Sequence, residues 1–583
     1  MVNTEIRKTS ASNDARWRAR TLLPLLPVLL LPPPATAADG AKDAAGGDWF
    51  REVSTEWGID FHHQDGRFGE KYYVETAASG GGWLDFDGDG DLDLYLVNGA
   101  RTPGSKLTGT PTNRLYENRR GAGGEVRFVD VTERAGVGDD GYGMGMCAGD
   151  YDADGRLDFL VTNYGPDRLY RNLGDGRFEE VAAKAGVADP RWGASCAFGD
   201  LDGDGDLDLY VTHYVRFDFD DNPFCGDRAR NLRSYCRPEA FDGVTDSLYV
   251  NRGDGTFRDQ AAERGIATGK NEKGFGVLLS DVDDDADLDV YVANDGTMNR
   301  LYLNDGAGRF QDEALLSGTG LSALGSAQSG MGVDLGDADG DGRMDLIVTN
   351  YSMETNTLYR NLGELLFEDA SSPSGMVEPS YQYVGWGVQF FDYDNDGDLD
   401  LAVANGHAVD NIEVFEAGLS YRQPNQLFEN DGRGRFTDVT ARAGAAWQTE
   451  QVSRALAVGD VDDDGRLDLL VTNTNDPPQL LVNRVENGNR WLGLRLEGPA
   501  PNPFAVGARV TVRAGDRRQV REVRSGGSFM AQPDLRLHFG LGRHDGPVEL
   551  EIRWPDGRTQ REKVTELDRY HTVRYRPGSA GPG

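Results

Sequence analysis

Short apolar runs and polar turns alternate along most of this chain, and the apolar residues recur at the period of a strand rather than of a helix. One stretch gives the order: "LDFLVTN" from Leu157, "RLYRN" from Arg168, "LGDGRF" from Leu173 and "EEVAAKAGV" from Glu179 predict short strands joined by Gly-rich turns. Counting the strand that leads into each unit, four strands per unit are implied. Seven such units follow one another, spaced irregularly between 50 and 81 residues, which predicts a propeller. The last unit ends at "QLLVN" (Asn483) without its Phe-led strand, while "WFREVSTEWGI" from Trp49 aligns with "RFVDVTERAGV" from Arg127 and "RFTDVTARAGA" from Arg435. The N-terminal strand is therefore expected to complete the seventh blade and close the ring, which removes the open edges a linear array would expose.

The predicted fold class is all-β: a seven-bladed β-propeller over residues 49–486, then a small β-sandwich-like domain over 487–577 and a disordered tail at 578–583. In the second domain "WLGLRLE", "ARVTVRA", "QVREVRS", "LRLHFGLG" and "VELEIRW" again alternate apolar with polar. Charge marks the same boundary. From Asn487 onward there are 17 Lys+Arg against 11 Asp+Glu, a net +6, so the preceding residues carry −43 of the chain's −37 total. The arginines of this domain are either solvated or a docking face for the acidic propeller or an anionic ligand. So acidic a bulk excludes nucleic acid and anionic membranes as partners.

Arg16, Arg18 and Arg20, the apolar "LLPLLPVLLL" from Leu22 and the small residues Ala35 and Ala37 predict a secretory signal over residues 1–38. That run is too short and proline-broken to span a bilayer, so no transmembrane span is expected, and the protein is expected in the periplasm, at the cell surface or in the medium. In that oxidising setting Cys225 and Cys236, eleven residues apart in one polar segment, read as a loop-stapling disulfide. Cys147 and Cys196 lie in strand-like runs and read as buried small hydrophobes.

Between the first and second strand of every unit lies a nine-residue aspartate cluster. The candidate metal ligands are Asp85, Asp87, Asp89, Asp91 and Asp93 in the first copy, and Asp150, Asp152, Asp154, Arg156 and Asp158 in the second. They are Asp200, Asp202, Asp204, Asp206 and Asp208 in the third, and Asp281, Asp283, Asp285, Asp287 and Asp289 in the fourth. The fifth offers Asp337, Asp339, Asp341, Arg343 and Asp345, the sixth Asp392, Asp394, Asp396, Asp398 and Asp400, and the seventh Asp460, Asp462, Asp464, Arg466 and Asp468. Short carboxylates at positions one, three, five and nine, with a turn at position six and a backbone carbonyl at position seven, converge on a hard, oxygen-seeking cation. Ca2+ at up to seven sites is the expected cofactor, with the ninth aspartate as the closing, bidentate ligand. Position six is Gly except at Ala286, which makes the fourth site the weakest.

These repeats resemble the FG-GAP or VCBS-type repeats of integrin alpha-chain propellers. The tail, with "NRWLGLRLEG", "VGARVTV" and "REVRSGGSFMAQPDLRLHFGLG", resembles the ASPIC/UnbV domain. The pairing is similar to bacterial relatives of the cartilage acidic proteins, though the cysteine-rich EGF-like module of the animal proteins is absent. The resemblance implies a calcium-bound propeller and carries the metal role onto the aspartates above.

Loops leaving the second strands, and loops between blades, are expected on the opposite face. They hold His62, His63, His213 and His407, with Arg67, Glu70, Lys71, Tyr72 and the insertion from Val215 to Asp246. No nucleophile elbow, phosphate loop, zinc helix or CxxC pair occurs, so no catalytic residue is assigned. The expected function is adhesion or recognition of a protein or glycan. The alternative is a propeller hydrolase or lyase acting on an extracellular polymer through this face.

Overall fold

The computed structural model describes residues 49–121, 124–266 and 271–578. The expected signal segment and the end of the tail lie outside the described residues.

Each aspartate loop joins the first two strands of a four-stranded antiparallel sheet. In sheet 2 these strands are Tyr142–Gly149, Asp158–Tyr164, Arg168–Asn172 and Phe178–Glu180, paired in that order. Seven sheets of this pattern occur among the described residues, one of them extended by a fifth strand. Their first strands begin at Gly81, Tyr142, Gly193, Gly274, Val333, Gly385 and Ser453. Each packs against the first strand of the next sheet, and the last packs against the first, so the sheets form a closed ring. Sheet 7 takes its outer strand from the N-terminal segment: Phe50–Glu52 pairs antiparallel with Gln479–Asn483, Phe50 opposite Asn483. Pairing the two ends of the ring covers edges that would otherwise be open.

Apolar faces of neighbouring sheets meet between the blades. Leu84, Tyr95, Met146, Phe159 and Phe178, for example, form one core from sheets 1 and 2. Cys147 and Cys196 are buried as expected of small hydrophobes, but they are also bonded to each other, with Cα atoms 5.6 Å apart, and tie the first strands of sheets 2 and 3. The strand reading of each segment identified its burial but not that the two strands adjoin. Cys225 and Cys236 form the second disulfide, Cα–Cα 5.1 Å, closing the short hairpin Cys225–Asp227/Leu232–Ser234 within the insertion.

The C-terminal domain packs a three-stranded sheet, with Arg490–Glu497 at its centre, on a four-stranded sheet containing Arg509–Ala514 and Val548–Arg553. Leu492, Val510, Phe539, Ile552 and Trp554 are among the residues of its core. Between its strands Arg517–Glu522 and Leu537–Gly542, the segment from Ser525 to Asp534 enters the middle of the ring. Ala531–Gln532 pairs in parallel with the first strand of sheet 1 as its fifth strand. Ser525 Oγ donates to Ala148 O (2.6 Å) in sheet 2 and accepts from Phe198 N (3.2 Å) in sheet 3. Ser528 accepts from Val388 N of sheet 6 through its hydroxyl (3.0 Å) and from Val333 N of sheet 5 through its carbonyl (2.9 Å). Asp534 N donates to Val458 O of sheet 7 (3.1 Å), and Phe529 packs on Phe275 of sheet 4 with ring centroids 5.4 Å apart. One strap thus touches all seven sheets. Glycines on the inner strands make the room: a Cβ on Gly82 would stand 2.4 Å from Gln532 O.

Candidate metal centres and the opposite face

The seven aspartate loops share one wiring. The first aspartate accepts the amide of position six through Oδ2, at 2.8–3.2 Å in every copy. That position is left-handed throughout, φ 80° to 96° at the glycines and 85° at Ala286, where an L side chain is strained. The ninth aspartate accepts the amide of position two at 2.9–3.3 Å through one oxygen. Through the other it accepts the amide of an asparagine at or near the end of the third strand, at 2.7–3.0 Å. The ninth aspartate was expected only as a closing ligand. Its first role here is to clamp the loop to its own sheet, and each oxygen keeps one further lone pair for a cation.

The asparagines, Asn118, Asn172, Asn251, Asn304, Asn361, Asn430 and Asn483, close segments such as "RLYRN" and "QLLVN", which the sequence pattern predicts only as strands. Asn172 Nδ2 donates to Leu157 O of its own loop (3.1 Å) and to Phe86 O of the loop in sheet 1 (2.7 Å). Asn483 links its loop to Tyr393 O of sheet 6 in the same way, and among the described residues only Asn361 of the seven asparagines makes no such bond to the preceding sheet's loop.

What remains is an excess of buried negative charge. Asp85, Asp87 and Asp93 have carboxylate oxygens mutually within 4.8 Å, as do Asp150, Asp152 and Asp158, and Asp200, Asp202 and Asp208. Oxygens of Asp85, Asp152, Asp202, Asp283, Asp287, Asp337 and Asp462 are buried with no hydrogen-bond partner, spread over six loops with two in the fourth. Burial, reinforced by neighbouring aspartates, pushes Asp158 and Asp289 up to about 9 and Asp208 to about 8. Asp93, Asp400 and Asp468 are also raised well above the usual carboxylate range. Orphaned oxygens on convergent carboxylates fit a hard divalent cation, which would fill the vacant lone pairs and offset the repulsion.

Part of the charge is met by the C-terminal domain, several of whose arginines reach these loops while others, such as Arg561 and Arg574, stay in solvent. Arg495 pairs with Asp85 (2.5 Å), Arg517 with Asp398 (3.2 Å) and Arg536 with Asp463 (2.6 Å). Arg553 pairs with Asp281, and Tyr570 Oη donates to Asp460 (3.0 Å).

On the other face the four histidines do not form a cluster. His63 Nδ1 accepts from Asn475 N (3.1 Å), His407 Nδ1 accepts from Val409 N (2.9 Å), and His213 lies 3.8 Å from Asp189 beside Arg191. Burial lowers all three, to about 4 for His63 and about 3 for His213 and His407, so they are neutral at physiological pH. His62 is exposed. Arg67 and Lys71 are committed to structural pairs, with Asp65 and with both oxygens of Asp410 (2.6 Å). Glu70 is exposed, and the Tyr72 ring packs edge-on to Phe219 at 4.9 Å. A cavity of about 980 Å³ opens on this face, lined by the insertion and by loops of sheets 1, 3, 4, 5 and 6, and no histidine lines it. In its wall Tyr73 Oη lies 2.6 Å from Tyr214 Oη, which donates to Asp295. Burial raises Asp295 to about 6.

Comparison with known proteins places these features. The FG-GAP-like repeat family matches residues 85–161, 150–211, 281–348, 337–403 and 411–471, and the ASPIC and UnbV family matches residues 498–580. Cartilage acidic protein 1 of Mus musculus is 29% identical over 494 residues, covering 81% of this chain and 60% of the mouse protein. The Xenopus tropicalis protein of the same name is 29% identical over 337 residues, covering 54% of this chain and 47% of its own. This chain thus spans about half to three-fifths of the length of these relatives. Among solved structures, an Agrocybe aegerita lectin that recognises non-reducing terminal N-acetylglucosamine is 14% identical with a TM-score of 0.35, covering 69% of this chain and 87% of the lectin.

Proposed function

The chain belongs to the FG-GAP-like repeat proteins and ends in an ASPIC and UnbV domain, and from that premise we propose that it is an exported, calcium-binding recognition module for a protein or glycan. The observation that carries the metal half is the set of orphaned, buried carboxylate oxygens repeated loop after loop. Calcium suits them better than magnesium, because many carboxylates in a flexible loop replace water that magnesium would keep. Asp85, Asp152, Asp202, Asp283, Asp337 and Asp462 would hold the ion through those oxygens, with the other aspartates of each loop. The bound ion supplies charge neutralisation and locks the loops that couple neighbouring sheets.

The recognition half follows from which face is free. The loop face is partly occupied by the C-terminal domain, which favours the cavity-bearing face for a ligand. Export follows from the N-terminal sequence and accords with two disulfides. The hydrolase or lyase reading has one observation of its own, the Tyr73–Tyr214–Asp295 chain in the cavity wall with Asp295 near the range of a general acid.

A polysaccharide and extracellular-protein array, probed with the calcium-loaded chain, separates the readings. Selective retention without cleavage is expected. Release of soluble oligosaccharide, abolished by Asp295→Asn, would transfer the chain to the enzymes, and retention of nothing would remove recognition.

A further inference from the structure

The cavity has a chemistry of its own. Phe275 and Trp386, which line it, pack on Phe529 of the central strap, and the disulfide-closed hairpin forms one wall. Four carboxylates line it: Asp295, Glu239, Glu354 and Glu416. None of them forms an ion pair among the described residues. Glu354 accepts from Ser329, whose N lies at 2.7 Å, and Asp295 accepts from Tyr214.

The nearby cations are largely spoken for. Lys273, which partly offsets Asp295, donates to Pro238 O (2.8 Å), and Arg454 is buried against the carbonyls of Thr76 and Ser453. Arg237 alone among the lining residues is cationic, and it is exposed. A second feature points to a missing partner. The Ser352 hydroxyl lines the cavity, is 3% exposed and has no hydrogen-bond partner. Beside these polar groups Met353 and Phe415 remain 49% and 38% exposed, an apolar surface next to acids.

We propose that this cavity binds an alkylammonium ligand, a positively charged amine on an apolar stem, with the charge taken by Asp295, Glu354 and Ser352 and the stem lying along Met353 and Phe415. Unpaired carboxylates in a partly desolvated site favour a cation over a neutral sugar, and the strongly negative chain draws cations toward it. The inference rests on the recognition reading and specifies its ligand.

Titration calorimetry of the calcium-saturated full chain with hexamethylenediamine, against hexanediol as the uncharged control, tests it. One saturable site is expected, with the diol and the Glu354→Gln and Asp295→Asn variants each weaker by roughly tenfold or more. Glu549→Gln, at an exposed position of the C-terminal domain, should bind as the parent does. Asp295 is deeply buried, so Glu239→Gln at the exposed rim provides a further variant that need not disturb the fold, and it should also weaken binding. Equal binding of diol and diamine, many weak sites reduced alike by Glu549→Gln, or no binding would overturn the proposal. Calcium content and a melting curve on the same sample keep the two readings apart. A chain that holds calcium but ignores the diamine refutes the cavity alone, and a calcium-free chain refutes the metal reading while the diamine result still decides the cavity.

Discussion

Ala286 holds the position that six glycines hold elsewhere, at φ 85°, and strains its loop. Ala286→Gly is expected to stabilise the chelator-treated protein by about 1 kcal/mol and to tighten calcium at the fourth loop. Denaturant melts check the first effect and calcium titration the second, and an unchanged melt would mean the loop carries no strain. Asn172 makes the opposite case. Asn172→Ala leaves two carbonyls without their donor, at a cost of roughly 2–4 kcal/mol, visible as a lower midpoint with unchanged slope. Aspartates were legible in the sequence because seven registers repeat the same carboxylate spacing. The asparagines repeated too, but their partners lie in a neighbouring sheet, as Phe86 does 86 residues before Asn172, and local spacing carries no sign of that.

Strands and turns were readable from alternation, and the closing strand from one missing and one surplus Phe-led segment. The strap was not. "SGGSFMAQPD" reads as an ordinary glycine-rich turn, since only the assembled ring creates the channel it fills. It predicts that propeller and C-terminal domain unfold as one cooperative unit. Phe529→Ala, which removes a fully buried ring from between Phe275 and Trp386, should cost about 3–5 kcal/mol and lower a single melting transition. Two transitions, with only the smaller one shifted, would contradict the coupling. The histidines fail as a site for a related reason: loops on one face of a ring this wide come from separate sheets, and each histidine finds its own neighbours first.

Across the whole molecule the dominant fact is unbalanced negative charge, −37 in total, with aspartates concentrated in seven loops. Without a cation the ninth aspartates bind protons more tightly folded than unfolded, where they titrate near the ordinary value. The stability they contribute is complete below that value and is lost as pH rises through the raised one, about 8 to 9 at Asp158, Asp208 and Asp289. In chelator the melting temperature should therefore fall between about pH 6 and about pH 9, and calcium should flatten that dependence. A chelator curve that is flat or rises would contradict the burial of those carboxylates. Each occupied site would add about 2.7 kcal/mol at a hundredfold excess of calcium over its dissociation constant, so several sites would rival the net stability of a domain.

The measurement that bears most directly on this account is the calcium content of the purified chain, taken with its thermal unfolding in calcium and in chelator. Several calcium ions per chain and a large calcium-dependent rise in melting temperature are predicted. Little or no calcium, with the same melting temperature in both solutions, would mean that the loops hold their charge without a metal and that the central claim is wrong.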